Sequence, residues 1–298
     1  MKKTNKTKLR IGLIITAIGL CVILYPLGSI LLNNLLSEQS MKNFLAEEQQ
    51  RSQEELGSIR TQAIHYNENL DRSTDVVVDP FDMENYSTKD PLDYEDGDIF
   101  GYMSIPKIDE ELPIYLGASR YHLNLGVAQV DGTSLPVGGR NTRSVIAGHR
   151  GWTTQRIFKN IDTLEKGDII TMWILGEPLE YEVYEQELIK PWEYEKLALV
   201  PAQDTLTLLT CHPFLVNTER LLINAVRVNA PVDTESVPVN AEAITEITET
   251  AEVQTPVRSE ETSQKALIEK YVLFGLVGLL LILLLRVMIR FIRTFKRT

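Results

Sequence analysis

The chain has 298 residues, 44% hydrophobic and 24% charged, with a formal net charge of −11. All 41 acidic residues lie between Ile11 and Leu285, where 20 basic residues leave a net of −21. Such a surface repels phosphate backbones and excludes nucleic acid as a partner, and two cysteines, Cys21 and Cys211, give no disulfide framework.

Taken in order, the chain opens with a basic tail at 1–10, carrying Lys2, Lys3, Lys6, Lys8 and Arg10. Ile11 to Leu32 is a run of 22 uncharged residues, long enough to cross a hydrocarbon core as a helix. The basic flank predicts a cytoplasmic N-terminus. No small-residue cleavage site follows, which favours a retained anchor over a removed signal peptide. Residues 33–70 form the next unit. From Glu38 to Leu70, good helix formers surround a sparse apolar stripe of Phe44, Leu45, Leu56, Ile59 and Ile64, which predicts one or two helices lifting the following domain off the membrane.

Residues 71–98 are acidic and irregular and contain Asp79-Pro80-Phe81, which by itself reads as an ordinary turn. From 99 to 230 the texture changes to short β-rich runs broken by Gly and Pro. They are Ile99 to Ile105, Ser144 to Ala147, Ile169 to Trp173, Leu179 to Ile189, Thr205 to Thr210 and Leu221 to Val228. Runs of this length and spacing predict an antiparallel barrel or sandwich with one core. The stretch 231–265 is rich in Glu, Thr, Ser, Pro and Val without aromatics and predicts a flexible tether. A second membrane helix is expected at 266–289, with Arg286 snorkelling to the interface, ahead of a basic tail at 290–298. Both tails are then cytoplasmic and everything between the two helices lies outside.

Three residues carry candidate chemistry. Cys211 closes the run Thr207-Leu208-Leu209-Thr210-Cys211, Arg220 opens the next β-run, and His149 sits in Ser144-Val145-Ile146-Ala147-Gly148-His149-Arg150-Gly151. A thiol, an imidazole and a guanidinium are the parts of an acyl-transfer site. If the two β-runs form a hairpin, the loop from His212 to Glu219 sets Cys211 beside Arg220 at one rim, with His149 able to face it. His212 is expected to point away, since adjacent residues of an extended segment face opposite sides. Each residue also has a blander reading, as a packed cysteine, a loop histidine or a paired surface arginine. His65, in the helical stem, and His122, in a polar turn, are assigned to such structural roles. No His, Cys and Asp group has metal-ligand spacing, so neither metal nor cofactor is expected.

The run Thr-Leu-x-Thr-Cys ending at Cys211, followed by Pro213, Asn217 and Arg220-Leu221, resembles the signature of the sortases, the cysteine transpeptidases of Gram-positive cell surfaces. Gly132 to Gly139 and on through Gly148-His149-Arg150-Gly151 resembles the stretch in which that family keeps its histidine. Asp79-Pro80-Phe81 resembles the lid of class C, the pilin-polymerising members. The resemblance extends from about Asp79 to Val228. His212 stands where a small residue is usual in that class.

The resemblance implies a mainly β fold, a closed sortase-type barrel with short helices, preceded by the helical stem and flanked by the membrane helices. It implies Cys211, His149 and Arg220 as catalytic residues. Charges on His149 and Arg220 are expected to raise the thiolate share of Cys211. It also implies a lid in which Asp79 pairs with Arg220 and Phe81 covers the thiol. The implied partners are the membrane and pilin subunits bearing an LPxTG-like sorting signal, cleaved after Thr and joined to a lysine of the next pilin. The alternatives are a housekeeping sortase that anchors proteins to peptidoglycan, and a doubly anchored surface scaffold with an inert thiol.

Overall fold

The computed structural model describes residues 2–48, 50–70, 77–82, 92, 97–151, 157–228 and 260–296. Helix α1 (Lys2–Glu48) runs unbroken through the first apolar stretch, Pro26 included. Helix α2 (Gln53–Asn69) begins at Ser52, whose side chain accepts the Glu55 N–H and so satisfies one free amide of the first turn. The strands are β1 (Gly101–Ile105), β2 (Glu110–Leu116), β3 (Val127–Gln129), β4 (Thr142–Ala147), β5 (Ile169–Ile174), β6 (Glu177–Ile189), β7 (Asp204–His212) and β8 (Glu219–Arg227). A short helix, α3 (Arg120–Leu125), lies between β2 and β3, and 3-10 turns occupy Pro106–Ile108, Ile161–Thr163 and Tyr194–Leu197. Helix α4 (Glu260–Lys296) ends the described chain.

The eight strands close into a barrel in the order β1-β2-β3-β4-β7-β8-β6-β5, which leaves no free sheet edge. Two of the pairings are parallel, β2 with β3 and β4 with β7, so the barrel is not the purely antiparallel one expected. The physical reason is the connections. Helix α3 carries the chain across so that β3 re-enters in the direction of β2, and the β5–β6 hairpin separates β4 from β7 in sequence. Strands β2 and β3 were also not foreseen. Pro113 interrupts β2, but the Phe100 N–H donates to the Ile114 carbonyl on the β1 side, so the missing donor of Pro113 faces β3. Pairing with β3 begins only at Ile114. His122 lies in α3, not in a polar turn.

All eight strands contribute to the barrel interior, among them Met103, Ile114, Val127, Ile146, Met172, Tyr181, Leu208 and Ile223. A second apolar layer covers the outer face of β4, β7 and β8. It includes Val145, Ala147, Leu209, Leu222, Leu123 from α3 and Leu197 from the third 3-10 turn. These strands are buried on both faces, which is why they read as continuous runs instead of alternating ones. Strand β6 has one wet face and does alternate, burying Leu179, Tyr181 and Val183 before a bulge between Val183 and Glu185.

Helix α2 is part of this body, not a stalk beneath it. Leu56 and Ala63 join the barrel interior, and Arg60 pairs with Glu177 at 3.0 Å. The buried Asn67 side chain accepts the Leu135 N–H at 2.7 Å and donates to the Leu135 carbonyl at 3.1 Å. Two helical stretches, Thr7–Leu32 and Tyr271–Thr294, are long and apolar enough to cross a membrane. They lie on the helices α1 and α4, which pack against each other, and Arg10 Nη2 donates to the Thr294 carbonyl at 2.9 Å. Most of the expected tether at 231–265, and of the acidic stretch at 71–98 away from Val77–Asp82, lies outside the described residues.

Removing the Asn67 side chain leaves the buried Leu135 N–H without its partner, whereas the Leu135 carbonyl keeps the Val137 N–H and the Ser144 hydroxyl. Asn67→Ala is therefore expected to lower unfolding stability by about 2 kcal/mol, measured by urea denaturation followed through tryptophan fluorescence.

Candidate active site

Side-chain phase across three adjacent strands builds the site. On the outer face, the antiparallel β7–β8 pair sets Thr207 opposite Asn224, Leu209 opposite Leu222 and Cys211 opposite Arg220. On the other side of β7, the parallel register sets Val145 beside Thr207 and Ala147 beside Leu209. Continued two residues in the same phase, it brings His149 level with Cys211. The strand ladder stops at Ala147, yet the attachment does not. Gly148 donates its N–H to the Leu209 carbonyl at 3.1 Å, and its own carbonyl accepts the Thr210 hydroxyl at 2.7 Å. The His149 carbonyl in turn accepts the Phe158 N–H at 2.9 Å. Residue 148 is a glycine for a local reason: a Cβ there would lie 2.7 Å from the Phe158 ring.

Below this row a buried polar layer ties the same three strands. Arg143 donates through Nε to Thr207 Oγ1 at 2.9 Å and through Nη2 to Asn224 Oδ1 at 2.9 Å. Its Nη1 reaches the Lys196 and Ala198 carbonyls at 2.8 and 2.7 Å, fixing the end of the 3-10 turn that begins at Tyr194. Every buried donor of that guanidinium has a use, as a charge out of water requires.

Asp79 occupies the forked face of Arg220. Arg220 Nε donates to Asp79 Oδ1 at 3.1 Å and Nη2 to Oδ2 at 2.5 Å, with both side chains buried. The remaining Nη1 donates to the carbonyls of Asn217 and Glu219. Asn217 has φ of 60°, a left-handed conformation that asparagine tolerates better than most residues and that turns its carbonyl towards the guanidinium. Asp79, Pro80 and Phe81 form a tight turn, in which Asp82 N donates to the Asp79 carbonyl at 3.0 Å and Phe81 N to Asp79 Oδ1 at 3.3 Å. The Phe81 ring lies 5.8 Å from the His149 ring and 5.3 Å from Arg220 Cζ. Tyr194 adds a further anchor through a hydrogen bond with the Asp79 backbone.

The electrostatics of this arrangement differ from the sequence expectation. Burial pushes the Cys211 thiol up to about 11; Asp79 adds to the rise and Arg220 only opposes it. Burial also holds His149 below its ordinary value, helped by the Arg120 cation. The expected rise in thiolate share is thus reversed with the turn in place: desolvation outweighs the one helpful charge, and that charge is matched by Asp79. Cys211 and His149 face each other's neighbourhood as neutral groups.

All six sequence-nominated residues, Cys211, His149, Arg220, Asp79, Pro80 and Phe81, gather at this one rim. His212 points elsewhere, its Nδ1 lying 2.7 Å from Arg150 Nη1. The buried His122 ring is held between the Gly117 carbonyl and the Gly97 N–H and stacks on Tyr115, a structural role. Tyr194 and Arg120 were not nominated, because their approach depends on how the 3-10 turn at Tyr194 and helix α3 pack onto the rim. Among the described residues, no group of three or more His, Cys, Asp or Glu side chains is placed to hold a metal ion.

Comparison with known proteins agrees with this fold. The sortase domain family profile matches residues 103–228. Sortase D of Bacillus subtilis is 30% identical over 120 residues, which is 40% of this chain and 58% of that protein, so the match spans less than two thirds of that relative. Among solved structures, sortase C of Streptococcus pneumoniae, described in connection with catalysis and pilin substrate specificity, is 34% identical with a TM-score of 0.59. The match covers 64% of this chain and 98% of that one. Sortase C-1 of Actinomyces oris is 38% identical with a TM-score of 0.54, covering 59% and 99%.

A thiol at about 11 instead of 9.0 has about a hundredfold smaller thiolate fraction at pH 8. Alkylation of Cys211 by iodoacetamide is therefore expected to be slow at pH 8 and to climb steadily up to about pH 11. Asp79→Ala and Phe81→Ala should each shift that profile to lower pH, because they admit water and, for Asp79, remove an opposing charge. Mass spectrometry of the Cys211 peptide reads the rates; unchanged rates in both variants would refute the covering role of the turn.

Proposed function

The chain belongs to the sortase family, alongside its class C members, and from that premise we propose that it is a membrane-anchored cysteine transpeptidase that builds covalent pili. It cleaves an LPxTG-like sorting signal between Thr and Gly and joins the Thr carbonyl to a lysine amine of the next pilin subunit. The observation that carries this reading is the pairing of Cys211 with Arg220 across β7 and β8, with His149 just beyond the end of the neighbouring β4.

The chemistry starts when the Asp79-Pro80-Phe81 turn gives way to substrate. Water and the freed Arg220 fork then favour the thiolate, with the Cys211 proton passing to His149. The sulfur attacks the Thr carbonyl carbon, and the electron pair of the C=O bond moves to oxygen. Arg220, always protonated and no longer engaged by Asp79, donates to that oxyanion. The C–N bond to Gly breaks as His149 returns its proton to the leaving amine, leaving a thioester on Cys211. The lysine amine attacks this thioester and gives its proton to His149. The thiolate departs, and an isopeptide bond remains.

Class C relatives described as pilus-related support the substrate class. The low-charge helices support the membrane anchor, and the Arg10–Thr294 contact between two basic ends supports both tails lying on one side, in the cytoplasm. That arrangement leaves the barrel outside, where pilins are assembled. The acidic surface of the exported part suits lysine-bearing acceptors.

Full-length protein in detergent, incubated with a pilin carrying such a signal, is expected to form a Cys211 thioacyl adduct and lysine-linked multimers detected by mass spectrometry. Both disappear in Cys211→Ala. Arg220→Lys keeps a charge but loses the fork, and its kcat should fall by about a hundredfold. Normal multimers in His149→Ala would remove that residue from the mechanism. An adduct released only by water or peptidoglycan amines would identify an anchoring enzyme, and no adduct with the turn opened by Asp79→Ala would identify a scaffold.

A further inference from the structure

Arg150 follows His149 in the chain, and its side chain is only 7% exposed. Its Nη2 pairs with Asp162 Oδ2 in the Ile161–Thr163 turn at 2.5 Å, and its Nη1 meets His212 Nδ1 at 2.7 Å. His212 in turn follows Cys211. The residues adjoining the two reacting groups are therefore joined to each other by one direct side-chain contact. A second contact runs alongside it. Gly151 has φ of 71°, and a Cβ there would lie 2.7 Å from the Phe214 ring, so Arg150 and Gly151 are held against His212 and Phe214.

Stability alone does not account for the arrangement. Arg150 Nε is buried with no hydrogen-bond partner among the described residues, and Asp162 is 43% exposed and therefore screened. A guanidinium held this way costs desolvation that an apolar side chain of similar bulk would avoid. What it provides is geometry: a planar fork that reaches two separate elements at once. The chemistry of the contact is specific too. Every N–H of an arginine donates, so in this contact His212 Nδ1 accepts. The charged groups facing His212 are Arg150 from the loop after β4, itself paired with Asp162, and Glu219 opposite in β8, itself paired with Lys190 at 2.7 Å.

We propose that the Arg150–His212 contact is a positioning device that fixes the His149 imidazole relative to the Cys211 sulfur, with Arg150 and His212 as positioning residues that touch no substrate. The proposal rests on the reading of Cys211 and His149 as the reacting pair. Its strength comes from the place of the contact. The β4 ladder ends at Ala147, two residues short of His149, so beyond Gly148 the imidazole is placed by contacts outside the ladder: the Phe158 N–H on the His149 carbonyl, the Phe81 ring, and these loop contacts beside it. Displacement of about 1 Å at a reacting group costs on the order of a hundredfold in rate, and a bridge one residue away from each partner acts directly on that separation.

The test compares two substitutions at His212 in the full-length Asp79→Ala protein, where the turn no longer shields the thiol. His212→Asn keeps an acceptor near the position of Nδ1, whereas His212→Leu keeps bulk without one. Cys211 modification by iodoacetamide at pH 7 is followed by mass spectrometry, together with turnover of a sorting-signal peptide. His212→Leu should lose about tenfold in alkylation rate and in kcat with KM unchanged, while His212→Asn stays within about twofold and both melt with the parent. Arg150→Lys, which cannot span both partners, should behave like His212→Leu. Equal losses in the Asn and Leu variants, or no loss in the Leu variant, would overturn the proposal. If the parent fails to turn the peptide over while alkylation still separates Asn from Leu, the transpeptidase reading falls and the positioning device stands. Peptide turnover with no difference among the variants overturns the positioning device and leaves the transpeptidase reading in place.

Discussion

The site depends on the phase relation between β4, β7 and β8. A strand presents alternate residues to one face, so three laterally paired strands can deliver one side chain each to a single row only if their registers agree. Here Ala147 lies beside Leu209 and Leu209 opposite Leu222, and the next step outward in that phase brings His149, Cys211 and Arg220 to the rim. A slip of one residue in either pairing would turn a member of the row into the barrel interior. The buried Arg143, Thr207 and Asn224 contacts bind the same three strands further down and oppose such a slip, since a displaced guanidinium would lose four well-formed hydrogen bonds at once.

The turn at Asp79 acts on the same row through the opposite principle. Asp79 takes the Nε and Nη2 fork of Arg220, and Phe81 leans on both flanking side chains. Desolvation then dominates the electrostatics of the pocket and favours the uncharged forms of Cys211 and His149. A cationic neighbour lowers a thiol only when its field is unmatched. Here a carboxylate matches it at hydrogen-bond distance. The resting arrangement is chemically quiet for a reason that lies in one ion pair, and the attachments of Tyr194 and of the Asp79 turn itself keep that pair in register.

The sequence was legible where physical rules act locally. Six strands appeared as β-branched apolar runs, and the membrane-length helices appeared as uncharged stretches. The hairpin between β7 and β8 followed from the run lengths, and it carried Cys211 and Arg220 to opposite positions. Strands β2 and β3 escaped because one contains Pro113 and the other has three residues, too few to show a period. Helix α2 looked like a free stem because its apolar stripe is sparse. Its attachment instead uses Asn67 and Arg60, polar residues whose partners Leu135, Ile174 and Glu177 are distant in sequence.

The sequence by itself determined which residue types were available, the thiol, imidazole, guanidinium and the Asp-Pro-Phe turn, and which segments would be strands or membrane-length helices, because these follow from side-chain chemistry and short-range periodicity. The tertiary structure alone decided that β4 and β7 run parallel, that His149 stands in line with Cys211, and that Asp79 closes on Arg220 from 141 residues away. It also reversed the expected direction of the shift at the thiol. Burial and the pairing of distant charges depend on how the whole chain packs, and no local pattern records them.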